Sequence, residues 1–195
     1  EGAKMSDDSA QFSGTMEVRE RLKFDVAKLE AYLKQNVIGF QGPLDVAQFK
    51  GGQSNPSYML TTPDRKYVLR RKPPGKLLPS AHAVDREYRV LTALTNTEVP
   101  VPKTYCLCED EDVIGTMFYV MEFLDGDIEW DPSLPNYSKA NRVAVFDSMN
   151  AAMASLHMVD YKSVGLESFG KPTDYLARQI NRWTKQYKAS ETETV

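Results

Sequence analysis

The sequence predicts an α+β fold, in which a small antiparallel sheet with one packed helix is followed by helices. Helix and strand patterns come in the order helix, two or three strands, helix, two strands, and then helices only. Residues 62–65, Thr-Pro-Asp-Arg, join two apolar segments and predict a hairpin turn. After Gly126 no strand pattern recurs. Such a layout predicts a cleft where sheet and helices meet, a preferred place for ligands.

The first half of the chain predicts one helix and three strands. Asp25 is a candidate N-cap for a helix with apolar residues at helical spacing, namely Val26, Leu29, Tyr32, Leu33 and Val37. Gly39 and the pair Gly42-Pro43 end this helix. Strands are predicted over residues 46–49, 58–62 and 66–70, because β-branched and aromatic residues are concentrated there.

The second half predicts a helix, two strands and two longer helices. Ser80 can cap a helix that runs to about Leu94. Strands follow at 104–108 and 116–123, and the acidic residues 109–112 between them predict a solvated hairpin tip. A long helix begins near Ser138, with an apolar stripe of Val143, Phe146, Met149, Met153 and Leu156. A last helix begins near Thr173.

Composition excludes several classes of function. Charged residues make up 26% of the 195, and the net charge is −3, so neither disorder nor binding to nucleic acid is indicated. No segment has the roughly 20 apolar residues of a membrane helix, so no membrane partner is predicted. Cys106 and Cys108 are interpreted as reduced core thiols on one face of a strand, which suits a cytoplasmic protein.

Glu87 is the first candidate for a functional side chain. It falls within the apolar stripe of its helix, between Val84 and Tyr88, so its carboxylate is predicted to face inward and to need a cation. Arg70, at the end of the preceding strand, is the candidate partner. Protein kinases hold the phosphates of ATP with a strand cation paired to a helix glutamate. A structural ion pair at the sheet edge, or a glutamate that reaches solvent, is the alternative.

Two further segments surround this pair. The loop 51–55, Gly-Gly-Gln-Ser-Asn, would let backbone amides approach a phosphate, although an ordinary hairpin turn explains it equally well. The strand 118–123 ends at Asp125-Gly126 and leads into the helical part. It is interpreted as a hinge whose backbone could bond adenine, and otherwise as an edge strand and a turn.

Taken together, these segments resemble the aminoglycoside phosphotransferase family, which shares the protein-kinase fold. The resemblance runs from about Phe24 to the end and rests on residues 51–55, 67–70, 86–88, 99–102 and 119–122. Residues 71–82, Arg-Lys-Pro-Pro-Gly-Lys-Leu-Leu-Pro-Ser-Ala-His, are similar to a subgroup that includes kinase-like domains fused to acyl-CoA dehydrogenases.

The resemblance implies a role for each matching position. Arg70 stands where the family has its phosphate-contacting cation, and Glu87 where it has the partner glutamate. Gly52, Ser54 and Asn55 would form the phosphate loop. Met121 would be the gatekeeper, and the main chain at Glu122 and Leu124 would hold adenine. The implied cofactors are ATP and Mg2+.

The family's catalytic loop has no counterpart in the sequence. That loop is an H-G-D or H-N-D sequence with Asn five residues after the Asp, whereas His157 is followed by Met158, Val159 and Asp160. No catalytic residue and no metal ligand is therefore assigned in this chain, and the magnesium ligands are expected beyond Val195. The expected organisation is a disordered or tag-like segment at 1–23, a nucleotide-binding lobe at 24–124, and the start of a helical lobe at 125–195, truncated before the catalytic loop.

The leading hypothesis is an ATP-dependent kinase acting on a hydroxyl of a small molecule. An aminoglycoside or a hydroxylated acyl-CoA-type metabolite would be the acceptor. A nucleotide-binding pseudokinase, or regulatory module without catalysis, is the alternative from another class. An α+β interaction domain without a nucleotide site is the third.

Overall fold

The computed structural model describes residues 13–51, 54–75, 82–129, 131–171 and 173–190. The chain divides into two compact units, Glu1–Val159 and Asp160–Val195. In their described residues, the first unit contains a sheet and four α-helices, and the second contains one α-helix.

Within the described ranges, the sheet has six antiparallel strands in the order β1-β2-β3-β4-β6-β5. Their bounds are β1 Thr15–Met16, β2 Asp45–Phe49, β3 Ser57–Thr61, β4 Lys66–Arg71, β5 Thr104–Cys108 and β6 Phe118–Glu122. The five predicted strands are all present, and the α+β, kinase-like fold class is confirmed.

Strand β1 was not predicted, and it corrects the interpretation of residues 1–23 as disordered or tag-like. Thr15 pairs with Phe49 on β2, and Leu22, in a turn of 3-10 helix, is only 7% exposed. An exposed sheet edge offers unpaired backbone groups, and β1 satisfies those of β2. From residue 13 onward, this segment is therefore part of the sheet unit.

Five α-helices occur in the part of the chain that the structure describes. They are α1 Val26–Asn36, α2 Val84–Leu94, α3 Glu111–Ile114, α4 Lys139–Met158 and α5 Tyr175–Ser190. Helix α1 begins as predicted, with the Asp25 carboxylate accepting a hydrogen bond of 3.0 Å from the Lys28 amide. Helix α2 begins after Ala83, which makes no side-chain cap. The predicted cap, Ser80, lies outside the described residues.

The acidic residues 109–112 are exposed and connect two antiparallel strands, as predicted for a solvated hairpin tip, and the connection also contains the short helix α3, which was not predicted. The Asp110 carboxylate accepts a hydrogen bond of 2.9 Å from the Asp112 amide and starts α3, and Gly115, at φ 85°, ends it. Ile114 is 6% exposed and joins the core. An apolar anchor combined with a capping residue explains why this turn is helical.

The main core lies between α1 and one face of the sheet. It contains Leu29, Leu33, Tyr58, Leu60, Tyr67, Leu69, Val120 and both cysteines, which are free and buried as predicted. Arg71 also points to this face and is 2% exposed. Its guanidinium donates to the carbonyls of Leu22 and Ile114, each at 3.0 Å, and lies over the Phe24 ring. This buried cation therefore connects three segments of the unit.

The opposite face of the sheet is only partly covered. Helix α2 contacts β5 and β6. The side chains of this face on β2, β3 and β4 include Ala47, Met59 and Val68, and all three are half-buried. The sheet therefore presents a partly open surface directly beside α2.

Helices α4 and α5 differ from the sheet region in burial. The predicted apolar stripe of α4 is 47–59% exposed, and Tyr175, Ile180 and Trp183 on α5 are 62–66% exposed. Among the described residues, every helix is too short or too polar to cross a bilayer. The predicted boundary at 124/125 differs from the division at 159/160, because α4 belongs to the same compact unit as the sheet.

Candidate functional site

Arg70 and Glu87 form an ion pair on the partly open face of the sheet. The Arg70 Nε donates to Glu87 Oε2 at 2.9 Å, and Nη2 approaches Oε1 at 3.4 Å. The two side chains are 29% and 35% exposed. The sequence predicts this pairing because Glu87 lies on the apolar stripe of α2, and the structure shows Glu87 facing inward against β4.

Glu87 is held by more than its cation. Its carboxylate also accepts hydrogen bonds from Asn55 Nδ2 at 2.8 Å and from the Tyr119 hydroxyl at 3.0 Å. Burial by itself would raise the pKa of Glu87, but the hydrogen bonds and charge of Arg70, with those of Tyr119 and Asn55, bring it below its ordinary 4.5. Glu87 is therefore an anion with four donors around it.

The guanidinium of Arg70 has N–H donors that no described residue accepts from. It has five N–H groups, of which two point to Glu87 and one, on Nη1, donates to the Ser57 hydroxyl at 3.1 Å. Two N–H donors therefore have no partner among the described residues. A planar cation with N–H donors available on both terminal nitrogens is suited to bind phosphate oxygens.

Asn55, a predicted member of the phosphate loop, lies in the loop before β3 and contacts Glu87 through its side chain. Its side chain is 6% exposed and is turned inward between Glu87 and His82, whose Nδ1 lies 2.9 Å from Asn55 Oδ1. Ser54, one residue earlier, is exposed. Gly52 lies outside the described residues. The Asn55 side chain therefore supports the ion pair, and Ser54 is the exposed member of the predicted phosphate loop.

An apolar surface lies beside the ion pair on the same face. The strand register aligns Ala47 with Met59, Met59 with Val68, and Val68 with Met121, and all four are half-buried. The neighbouring row holds Ser57, Arg70 and Tyr119, about 7 Å away along each strand. We call the first row the apolar floor. A flat base on this floor would have its phosphates within reach of Arg70.

The predicted hinge follows directly from the floor. Met121 belongs to the floor, and Glu122 ends β6. The Glu122 amide already donates to the Lys103 carbonyl at 2.8 Å, so this N–H is engaged within the protein. Leu124 lies beyond the strand and is 59% exposed, and its N–H donates to no backbone carbonyl in the described parts of the chain.

Sequence reasoning missed several members of this arrangement. Ser57, Tyr119 and His82 contact the ion pair or its support, and Val68 and Met59 form the floor. Period-two alternation places Val68 and Arg70 on one face, so the sequence contained a signal for Val68. Ser57, Tyr119 and Met59 depend on strand register, and His82 depends on the packing of α2, neither of which the sequence specified.

The described residues contain no cluster of possible metal ligands. Among them, no three side chains of His, Cys, Asp or Glu come together. Mg2+ is held through carboxylates and water in octahedral geometry. The described residues therefore do not form a magnesium site.

An antiparallel sheet with α1 on one face, α2 against the other and an ion pair between β4 and α2 is the arrangement of a kinase-like phosphotransferase fold. A family model described as "Phosphotransferase enzyme family" (APH) matches residues 45–194. The chain belongs to this family.

Known proteins similar to the chain include two curated relatives. It is 47% identical over 183 residues to "Acyl-CoA dehydrogenase family member 10" of Mus musculus, covering 93% of this chain and 17% of the relative. It is 45% identical over 185 residues to "Acyl-CoA dehydrogenase family member 11" of Rattus norvegicus, covering 93% of this chain and 24% of the relative. The chain thus spans a quarter or less of either relative, and the predicted subgroup is confirmed.

One solved structure agrees with both the fold and the family. A Ralstonia eutropha JMP134 protein described as of the aminoglycoside phosphotransferase type is 54% identical. The TM-score is 0.76, with 89% of this chain and 50% of that chain covered.

Proposed function

We propose that the protein binds ATP at the Arg70–Glu87 pair and serves as a kinase that phosphorylates a hydroxyl of a small molecule. In that reaction the acceptor oxygen bonds the γ-phosphorus, the bond to the β–γ bridging oxygen breaks, ADP leaves, and the hydroxyl proton is released. Membership of the phosphotransferase family supports the reaction class.

The observation that carries the proposal is the guanidinium of Arg70. It is held by Glu87 and Ser57, it retains two N–H donors, and it lies one row from the apolar floor. A fixed cation with unused donors beside an apolar surface matches the two parts of a nucleotide, the phosphates and the base.

We propose the remaining contacts from the strand register and, for Gly52, from the resemblance to the family alone. Adenine would lie on the floor, with Met121 at its inner end and the main chain of Glu122 and Leu124 at its edge. Ser54, which is exposed, and Gly52 would border the phosphates, with Mg2+ as the accompanying ion. Asn55 would act through Glu87.

For the acceptor we propose a hydroxylated acyl-CoA-type metabolite. The support is that the relatives similar to this chain are named acyl-CoA dehydrogenases, and that the chain matches only a part of each. We also propose a cytoplasmic location, in keeping with two buried free thiols.

Calorimetric titration of the chain with ATP, with and without Mg2+, tests the nucleotide site. Arg70→Ala is compared with Arg65→Ala, which removes an exposed arginine from the turn before β4. We expect Arg65→Ala to keep the wild-type affinity and Arg70→Ala to lose about tenfold or more, as the removal of charge-assisted phosphate contacts predicts. Equal affinities for the two variants would refute the assignment.

Turnover separates the kinase from a nucleotide-binding module without catalysis. Release of ADP that depends on a hydroxylated acyl-CoA supports the kinase. ATP binding without acceptor-dependent ADP release in the full-length protein supports the non-catalytic module.

A further inference from the structure

We propose that His82 is a positioning residue of the nucleotide site, whose Nδ1–H fixes the side-chain amide of Asn55 in the orientation that donates to Glu87. The inference rests on the proposed function in one respect, that Arg70 and Glu87 are taken as nucleotide-site residues. Among the described contacts, the His82 side chain makes no hydrogen bond to either of them and acts through Asn55.

The direction of the hydrogen bonds follows from the carboxylate. One end of the Asn55 amide lies 2.8 Å from Glu87 Oε1, and the other lies 2.9 Å from His82 Nδ1. A flipped amide would bring an oxygen against the carboxylate oxygen, and both are acceptors. The NH2 end therefore faces Glu87 and the oxygen faces His82. A neutral His82 must then carry its proton on Nδ1.

Burial makes this orientation consequential. Asn55 is 6% exposed, so an amide that turned away from Glu87 would leave polar atoms without the compensation of water. The same residue is fixed through its backbone, because the Ser57 hydroxyl donates to the Asn55 carbonyl at 3.3 Å. Since Arg70 donates to that hydroxyl, the contacts form a closed ring through Glu87. His82 is the only side chain outside this ring that bonds to the Asn55 amide among the described residues.

The backbone conformation of His82 supports a positioning role for its contact with Asn55. Its φ is 58°, in the left-handed region, immediately before the helix that carries Glu87. Non-glycine residues enter this region at a cost, and asparagine and glycine tolerate it best. In this conformation the His82 ring contacts the Asn55 amide. Asn55, which precedes β3, bonds to Glu87 on α2, and Glu87 pairs with Arg70 on β4.

The first test measures the tautomer directly. The chain has two histidines, and a His157→Gln variant assigns their imidazole nitrogen resonances. We expect neutral His82 to show a protonated Nδ1 and an unprotonated Nε2. In Asn55→Ala the Nδ1–H preference should be lost. An Nε2–H tautomer in the wild type would overturn the proposal, whether or not ATP binds.

The second test separates the donor from the backbone. His82→Asn keeps an N–H donor near the place of Nδ1 and tolerates a positive φ, whereas His82→Gly tolerates the φ but has no donor. We expect ATP affinity within about twofold of wild type for the Asn variant and about fivefold weaker for the Gly variant, as the loss of one net hydrogen bond predicts. His157→Asn, on the exposed side of α4, is the control.

The two tests fail separately. Equal ATP affinities for the Asn and Gly variants of His82 would overturn its positioning role. If the wild type binds no ATP, the proposed function fails, and the tautomer measurement still decides whether His82 fixes Asn55.

Discussion

Replacing Glu87 by alanine is the sharpest perturbation of the candidate site. The change removes the carboxylate that accepts from Arg70 Nε, Arg70 Nη2, Asn55 and Tyr119. The guanidinium would then keep only its bond to Ser57 and would no longer be fixed beside the apolar floor. Nucleotide affinity should fall because Arg70 must be immobilised again when the phosphates bind.

The magnitude can be bounded from the burial of the pair. Exposed ion pairs contribute about 0–1 kcal/mol, and a hydrogen bond to a charged group about 1.5–3 kcal/mol when it is buried. Side-chain exposures of 29% and 35% place the Arg70–Glu87 coupling between these limits, near ~1.5 kcal/mol. Because about 1.4 kcal/mol corresponds to tenfold in an equilibrium constant, we expect the Kd for ATP to rise about tenfold.

Calorimetry with Mg-ATP measures this, and Glu109→Ala is the matched control. Glu109 is an exposed glutamate after β5 and makes no hydrogen bond or ion pair in the described residues, so its removal should change the Kd by less than about twofold. Thermal unfolding of both variants verifies that each is folded at the titration temperature. The same Kd for the two variants, or tighter binding by Glu87→Ala, would refute the reasoning.

Three further perturbations test the site and its support. The pKa of Glu87 is lowered in the folded state, so the stabilisation by its carboxylate is present above pH 4.5 and is lost as the pH falls through the folded pKa. In urea unfolding, the stability difference between wild type and Glu87→Gln should therefore shrink from about pH 7 to pH 3. A difference that stays constant over this range would contradict the prediction. Val68→Phe should block the apolar floor and weaken ATP binding at least about tenfold, with little change in the midpoint of unfolding. Thr61→Phe, on the same face but farther from Arg70, should leave ATP affinity unchanged. Similar ATP affinities for the two variants would show that the floor is not part of the site. Arg71→Lys should cost about 2 kcal/mol of unfolding free energy in denaturant titration, because one ammonium cannot replace the fork that reaches two carbonyls, and a loss below about 0.5 kcal/mol would show that those bonds contribute little.

The short helix α3 and strand β1 show where local patterns were insufficient. Residues 109–112 are exposed, as predicted for a hairpin tip, but the helix α3 within this connection was not predicted, because it depends on the burial of Ile114. Strand β1 has only two residues, Thr15 and Met16, and no alternation can be detected over so short a length. Both elements depend on tertiary contacts, because neither segment could form its structure alone.

What the sequence determined was the order of the elements and the inward direction of one carboxylate. Period-two and period-3.6 patterns give the face of a residue relative to its own strand or helix, which was enough to predict that Glu87 faces the sheet and that a cation should meet it. The position of Arg70 at the end of the preceding strand made it the candidate cation, the resemblance to the family gave it a role, and the ion pair is present at 2.9 Å.

Only the tertiary structure decided which side chains complete the site. Strand register placed Ser57 and Tyr119 beside Arg70 and aligned Met59 with Val68, and the packing of α2 brought His82 to Asn55. The reason is physical: periodicity fixes a side chain's direction within one element, whereas register and helix packing are set by contacts between residues far apart in the chain.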